Sequence, residues 1–126
     1  MLLLDTSFLI EFEDELVHRG TGPASAVLHA HHRRAAAISI ITLGEFAEGF
    51  VDPRSLLQFL APFRVVQLSR AIAWRMAALQ GSLAGRLGEN DAWIAATAMA
   101  YNATLVARER AFERVPRSSP RYGLGG

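Results

Sequence analysis

A chain of 126 residues, about half of them apolar, can bury one substantial core, and a single domain over residues 1–126 is the default expectation. There is no cysteine and all 13 basic residues are arginine, which excludes disulfides, thiolate nucleophiles, cysteine zinc sites, Schiff-base lysines and a lysine-bearing phosphate loop. The net charge of +1 permits nucleic-acid binding without requiring it, since arginine suits two-point contact with phosphate but base composition equally accounts for a lysine-free chain. No apolar stretch nears the roughly 18 residues of a membrane span, and residues 1–4 lack a preceding basic segment, so a cytoplasmic protein without membrane contact is expected.

The first element is a short apolar strand, Leu2–Leu4, closed by Asp5-Thr6-Ser7, after which Phe8, Leu9, Ile10, Phe12 and Leu16 recur at roughly helical spacing. Residues 20–22 form a break, Pro23 suits a first helical turn, and residues 24–34 read as a second helix. Residues 36–41 are a β-branched run of strand length, which Thr42 stops by capping a third helix. Asp52-Pro53 turns the chain into a short helix over residues 55–60. Residues 64–68 read as a strand, Ser69 as the cap of a long helix to Leu83, and residues 85–90 as a loop. An alanine-rich helix over 91–101, a strand over 104–107 and a loop or tail over 116–126 complete the chain. This alternation predicts an α/β protein, with a mostly parallel sheet of four or five strands covered by helices on both faces.

In such sheets ligands bind beyond the carboxyl ends of the strands. Asp5 follows the first strand, Glu45 lies one turn into the helix after the second, Asp91 opens the helix before the last strand, and Glu109 lies just past that strand. Each has a structural alternative taken alone: Asp5 as a turn or cap residue, Thr42 to Glu45 as a capping box, and Asp91 as a charge favouring its helix dipole. Capping does not require four carboxylates at one sheet edge. Hard divalent cations such as Mg²⁺ and Mn²⁺ prefer carboxylate oxygen, so the cluster suits metal-assisted hydrolysis of a phosphodiester.

Four segments in order resemble the PIN domains, and among them the VapC-type toxins of toxin–antitoxin pairs. They are residues 3–10 (Leu-Leu-Asp-Thr-Ser-Phe-Leu-Ile), 39–45 (Ser-Ile-Ile-Thr-Leu-Gly-Glu) with Gly49, 88–98 (Gly-Glu-Asn-Asp-Ala-Trp-Ile-Ala-Ala-Thr-Ala), and 105–109 (Leu-Val-Ala-Arg-Glu) with Phe112. The resemblance implies a three-layer α/β/α sandwich, Mg²⁺ or Mn²⁺ on the acidic cluster, and cleavage inside RNA by in-line attack of water. It also implies a homodimer and an antitoxin protein as partners. Asp5, Glu45 and Asp91 match the family's three most consistent acidic positions, with Ser7 as a supporting hydrogen-bonding residue. The fourth position departs from the family's Thr-x-Asp: here it is Ala107-Arg108-Glu109, with a longer acid and no hydroxyl. That departure keeps open a degenerate module that binds RNA or protein without cutting.

Arg108 and Arg110 flank Glu109 and are candidate contacts to the RNA backbone. His29, His31, His32, Arg33 and Arg34 read as a basic end of the second helix rather than a metal site, because adjacent helical residues point about 100° apart. Trp74 and Trp93 read as core or dimer contacts, and Phe46, Phe50, Phe59, Leu60 and Phe63 as an apolar strip too large for a monomer to bury, suited to a dimer partner or an antitoxin helix.

Overall fold

The computed structural model describes residues 1–108. In chain order the elements are β1 (Leu2–Leu4), α1 (Thr6–His18), α2 (Pro23–Ala30), β2 (Ala36–Ser39), α3 (Ile40–Ala47), α4 (Pro53–Leu60), β3 (Arg64–Val66), α5 (Arg70–Ser82), α6 (Glu89–Ala100) and β4 (Thr104–Val106). The four strands pair in the order β3-β2-β1-β4, and every pairing is parallel. Successive strand residues point to opposite faces. Leu3, Ala37, Val66 and Leu105 therefore pack with α5 and α6, while Leu2, Leu4, Ile38 and Val106 pack with α1 to α4. This is the three-layer α/β/α arrangement, with four strands among the described residues.

The second strand ends earlier than its β-branched run suggests. Ser39, not Thr42, is the cap of α3, its Oγ accepting from the Ile41 N–H at 3.1 Å. Ile40 and Ile41 thus form a first helical turn, Ile41 spending its apolar area against the core under α6. Thr42 then falls inside that turn, fully buried, and its Oγ1 has no hydrogen-bond partner among the described residues. An orphaned buried hydroxyl costs roughly 1–3 kcal/mol. Thr42→Val, which keeps the shape and removes the hydroxyl, is expected to stabilise the protein by about 1 kcal/mol in urea unfolding; a loss of stability would show that Thr42 has a partner.

Two other expectations are corrected, and a third, which left core and dimer contact open for the tryptophans, is narrowed. The second helix stops at Ala30, and His31 to Arg34 form a turn, because Arg34 reaches back to the sheet and donates to Met1 O (3.2 Å) and Thr104 Oγ1 (2.7 Å). The phenylalanine strip is not left bare: Phe46 and Leu60 are buried, and Phe50, Phe59 and Phe63 join Phe46 and Phe12 of α1 in a cluster of tilted and edge-on rings. Trp74 is 78% exposed and so is no core residue, whereas Trp93 is partly buried against the α5–α6 core. No described helix is long and apolar enough to cross a membrane.

Candidate active site

Asp5 sits where β1 becomes α1. Its backbone N–H donates to Val106 O (2.9 Å), tying the junction to the end of β4, and its carboxylate caps α1 by accepting from the Ser7 N–H (3.3 Å). The Ser7 hydroxyl also donates to Asp5 Oδ2 (2.9 Å) and accepts from the Arg108 N–H (3.0 Å). Asp5 is 2% exposed, so its charge is held by directed donors rather than by bulk water. The cap and the site are one residue here.

Glu45 lies on α3, and its capping-box alternative fails: the helix begins at Ile40, which puts Glu45 beyond the turn a cap can reach. Its carboxylate instead bridges two other elements, accepting from Thr6 Oγ1 of α1 (2.5 Å) and Asn90 Nδ2 of α6 (3.1 Å). Asp91 is in the first turn of α6, which starts two residues before the expected boundary, with Gly88 as its cap. The start of α6 is positioned from α5. Gln80, almost fully buried, donates to Leu87 O (3.0 Å) and accepts from the Leu87 N–H (2.9 Å). Burial first, and the negative charge of Glu45 second, push the Asp91 carboxyl above its ordinary value.

Asp5, Glu45 and Asp91 line one open cleft of about 320 Å³ at the carboxyl ends of the strands, together with Ser7, Glu11 and Arg108. Glu109 and Arg110 lie outside the described residues. A second depression, lined by Glu45, Glu89, Asn90 and Asp91, adjoins the cleft across the Glu45 and Asp91 side chains. The basic run at residues 29–34 is elsewhere, before β2 at the amino ends of the strands. Arg108 is paired with Glu11 (2.7 Å).

A model of the PIN domain family matches residues 2–118. This chain belongs to the PIN domain family. In structure this PIN domain is similar to VapBC2 from Rickettsia felis bound to a DNA fragment from their promoter, with a TM-score of 0.80, 22% identity and 98% of each chain covered. It is similar to a toxin–antitoxin complex from Klebsiella pneumoniae with a TM-score of 0.75 and 29% identity, over 92% of this chain and 93% of that one. VapBC-1 from nontypeable Haemophilus influenzae gives 0.79 and 22% over 98% and 97%. A comparison with curated protein sequences gives no match.

The donors of this PIN domain's cleft are carboxylate oxygens, flanked by hydroxyl and amide groups, which suits a hard divalent ion and not a thiophilic one. Among the described residues no three carboxylate or histidine side chains are already drawn together to hold an ion. A cation in the cleft would offset both the burial and the Glu45 charge that raise the Asp91 carboxyl. Sequence reading missed Thr6, Glu11 and Asn90. Thr6 and Asn90 each adjoin an identified acid, and this was the only available signal, since their contacts to Glu45 span 39 and 45 residues.

Proposed function

We propose that this PIN domain is a divalent-metal-dependent endoribonuclease and the toxin of a toxin–antitoxin pair, using Mg²⁺ or Mn²⁺. The observation that carries the nuclease reading is the convergence of Asp5, Glu45 and Asp91, from three separate elements, on one cleft at the carboxyl edge of the sheet. Asp5 and Asp91 are the main metal ligands in this reading, Glu45 is a ligand or orients water, and Glu109 is the fourth acid. When bound, the metal supplies Lewis-acid stabilisation of charge on the scissile phosphate and lowers the pKa of water. Ser7 fixes the rotamer of Asp5 by donating to Oδ2, and Thr6 and Asn90 fix that of Glu45. Arg108 and Arg110 serve as contacts to the RNA backbone.

The toxin reading is supported by the 29% identity to one chain of the Klebsiella pneumoniae toxin–antitoxin complex over nearly the whole length. It carries with it an antitoxin protein as partner. Trp74, exposed beside a groove lined by Ala71, Ala78 and Met99, supports a homodimer.

The test is RNA cleavage by partner-free protein with Mg²⁺ or Mn²⁺, with chelator, and with Asp5→Asn. Cleavage is expected only in the untreated wild type. Activity that survives chelation and the substitution would overturn the assignment, and RNA binding without metal-dependent turnover would establish the non-cutting module.

A further inference from the structure

Ser7 and Glu11 are four residues apart on α1 and so share a face, about 6 Å apart along the axis. Both hold Arg108. The Ser7 hydroxyl accepts its backbone N–H at 3.0 Å and the Glu11 carboxylate accepts its guanidinium at 2.7 Å, which lays the arginine along α1 at the wall of the cleft. Glu11 and Arg108 both line that cleft, and Arg108 is the only basic residue among the described residues that does. While it is paired, the one basic side chain that the described residues place in the cleft is engaged with a carboxylate.

We infer that Glu11 is an internal competitor for substrate phosphate: it holds the Arg108 guanidinium in the empty cleft and gives it up to a phosphodiester of single-stranded RNA. The inference rests on the nuclease reading of this cleft. Carboxylate and phosphate use the same guanidinium donors, so one excludes the other at a given N–H. The pair is also placed to open. The Arg108 side chain is 49% exposed, in the range where a single ion pair contributes little to stability, while its backbone remains anchored to Ser7. Exchange therefore swings a side chain and leaves the chain path intact. Glu11 is left paired only when the cleft is without substrate, so the exchange makes weak or badly placed anions poor ligands.

The experiment measures the affinity of a single-stranded RNA oligonucleotide by fluorescence anisotropy, in chelator to withhold the metal that cleavage needs and over a range of salt, for wild type, Glu11→Gln, Arg108→Gln and the double variant. Glu11→Gln is expected to tighten binding about fivefold with the salt dependence unchanged, and Arg108→Gln to flatten that dependence by about 0.7 in log–log slope, the value for one phosphate contact to a single strand. In the Arg108→Gln background the same substitution is expected to change neither quantity. An equal gain in both backgrounds would show that Glu11 acts only as one more repelling charge, and would overturn the inference. No gain from Glu11→Gln, or no binding by any of the four proteins, would overturn it as well. Because this measurement needs no turnover, a failure of the nuclease reading shows separately in the cleavage assay.

Discussion

Asp91→Asn is expected to melt at a higher temperature than the wild type in chelator at neutral pH and, on the nuclease reading, to lose at least about 100-fold in RNA cleavage, because even outer-shell partners of a metal cost roughly 10–100-fold. The two effects have one origin. Burial and the Glu45 charge raise the folded carboxyl above its ordinary value of 3.8, so the folded state binds the proton more tightly than the unfolded chain does. Stability from this group is therefore greatest at low pH, falls as pH rises from about 3.8 through the raised folded value, and stays reduced at neutrality. Asparagine never ionises and escapes that loss, so the gap between variant and wild type should close below pH 3.8. Added Mg²⁺ or Mn²⁺ should raise the melting temperature of the wild type, by an amount equivalent to about 2.7 kcal/mol at one hundred times the dissociation constant, and raise that of the variant far less. A variant less stable than the wild type in chelator would mean that Asp91 serves the fold and not a cation.

Glu15 gives the largest expected loss of stability. It is fully buried, and its carboxylate accepts from the Ala24 N–H (2.8 Å), the Ser25 N–H (2.9 Å) and Ser25 Oγ (2.8 Å), at the start of α2. The cap residue of α2 is Gly22, which has no side chain to do this, so α1 supplies the missing acceptor from across the interface. Burial pushes the Glu15 carboxyl up, but the donors from Ser25 and Ala24, with the charge of Arg19, outweigh it and hold the group below its ordinary 4.5. The stabilisation is thus complete above about pH 4.5 and is lost as pH falls through the depressed folded value. Glu15→Gln is expected to cost about 2–4 kcal/mol at neutral pH in urea unfolding, with the difference narrowing under acid. Gly22→Ala should reproduce much of the loss. A Cβ there would stand 2.7 Å from Glu15 Cγ and 2.8 Å from its Oε1, and closer still to Cδ, so the carboxylate must leave its donors. Full stability in both variants would show that α2 is held by its apolar contacts alone.

Glu15 also marks where local pattern stops being informative. It falls with Phe8 and Phe12 on the buried side of α1, and a lone acid on an apolar stripe is the sign of a distant partner, but nothing in the stripe says which one. Asp5 and Glu45 were readable because one closes a strand and the other lies in the helix that follows a strand, and Asp91 because it opens the helix that leads to the last strand; the edge rule for parallel sheets needs only that order. Their exact placement was less so: Ile40 and Ile41 favour a strand by side-chain shape, yet the Ser39 hydroxyl and the apolar core beneath α6 draw them into a helix. The bridging of Glu45 by Thr6 and Asn90 depends on how α1, α3 and α6 pack together. Glu109 and Arg110 fall outside the described residues, so the fourth acid and the second arginine stand as sequence proposals.

The bond from the Asp5 N–H to Val106 O bears on when the cleft comes into being. Asp5 is made well before the strand that anchors it, and Glu45 and Asp91 wait on the same sheet. A growing chain therefore carries the acids without the geometry. Any truncation upstream of β4 removes both the acceptor of that bond and the strand paired with β1, so the cleft is laid out only on a sheet that includes β4.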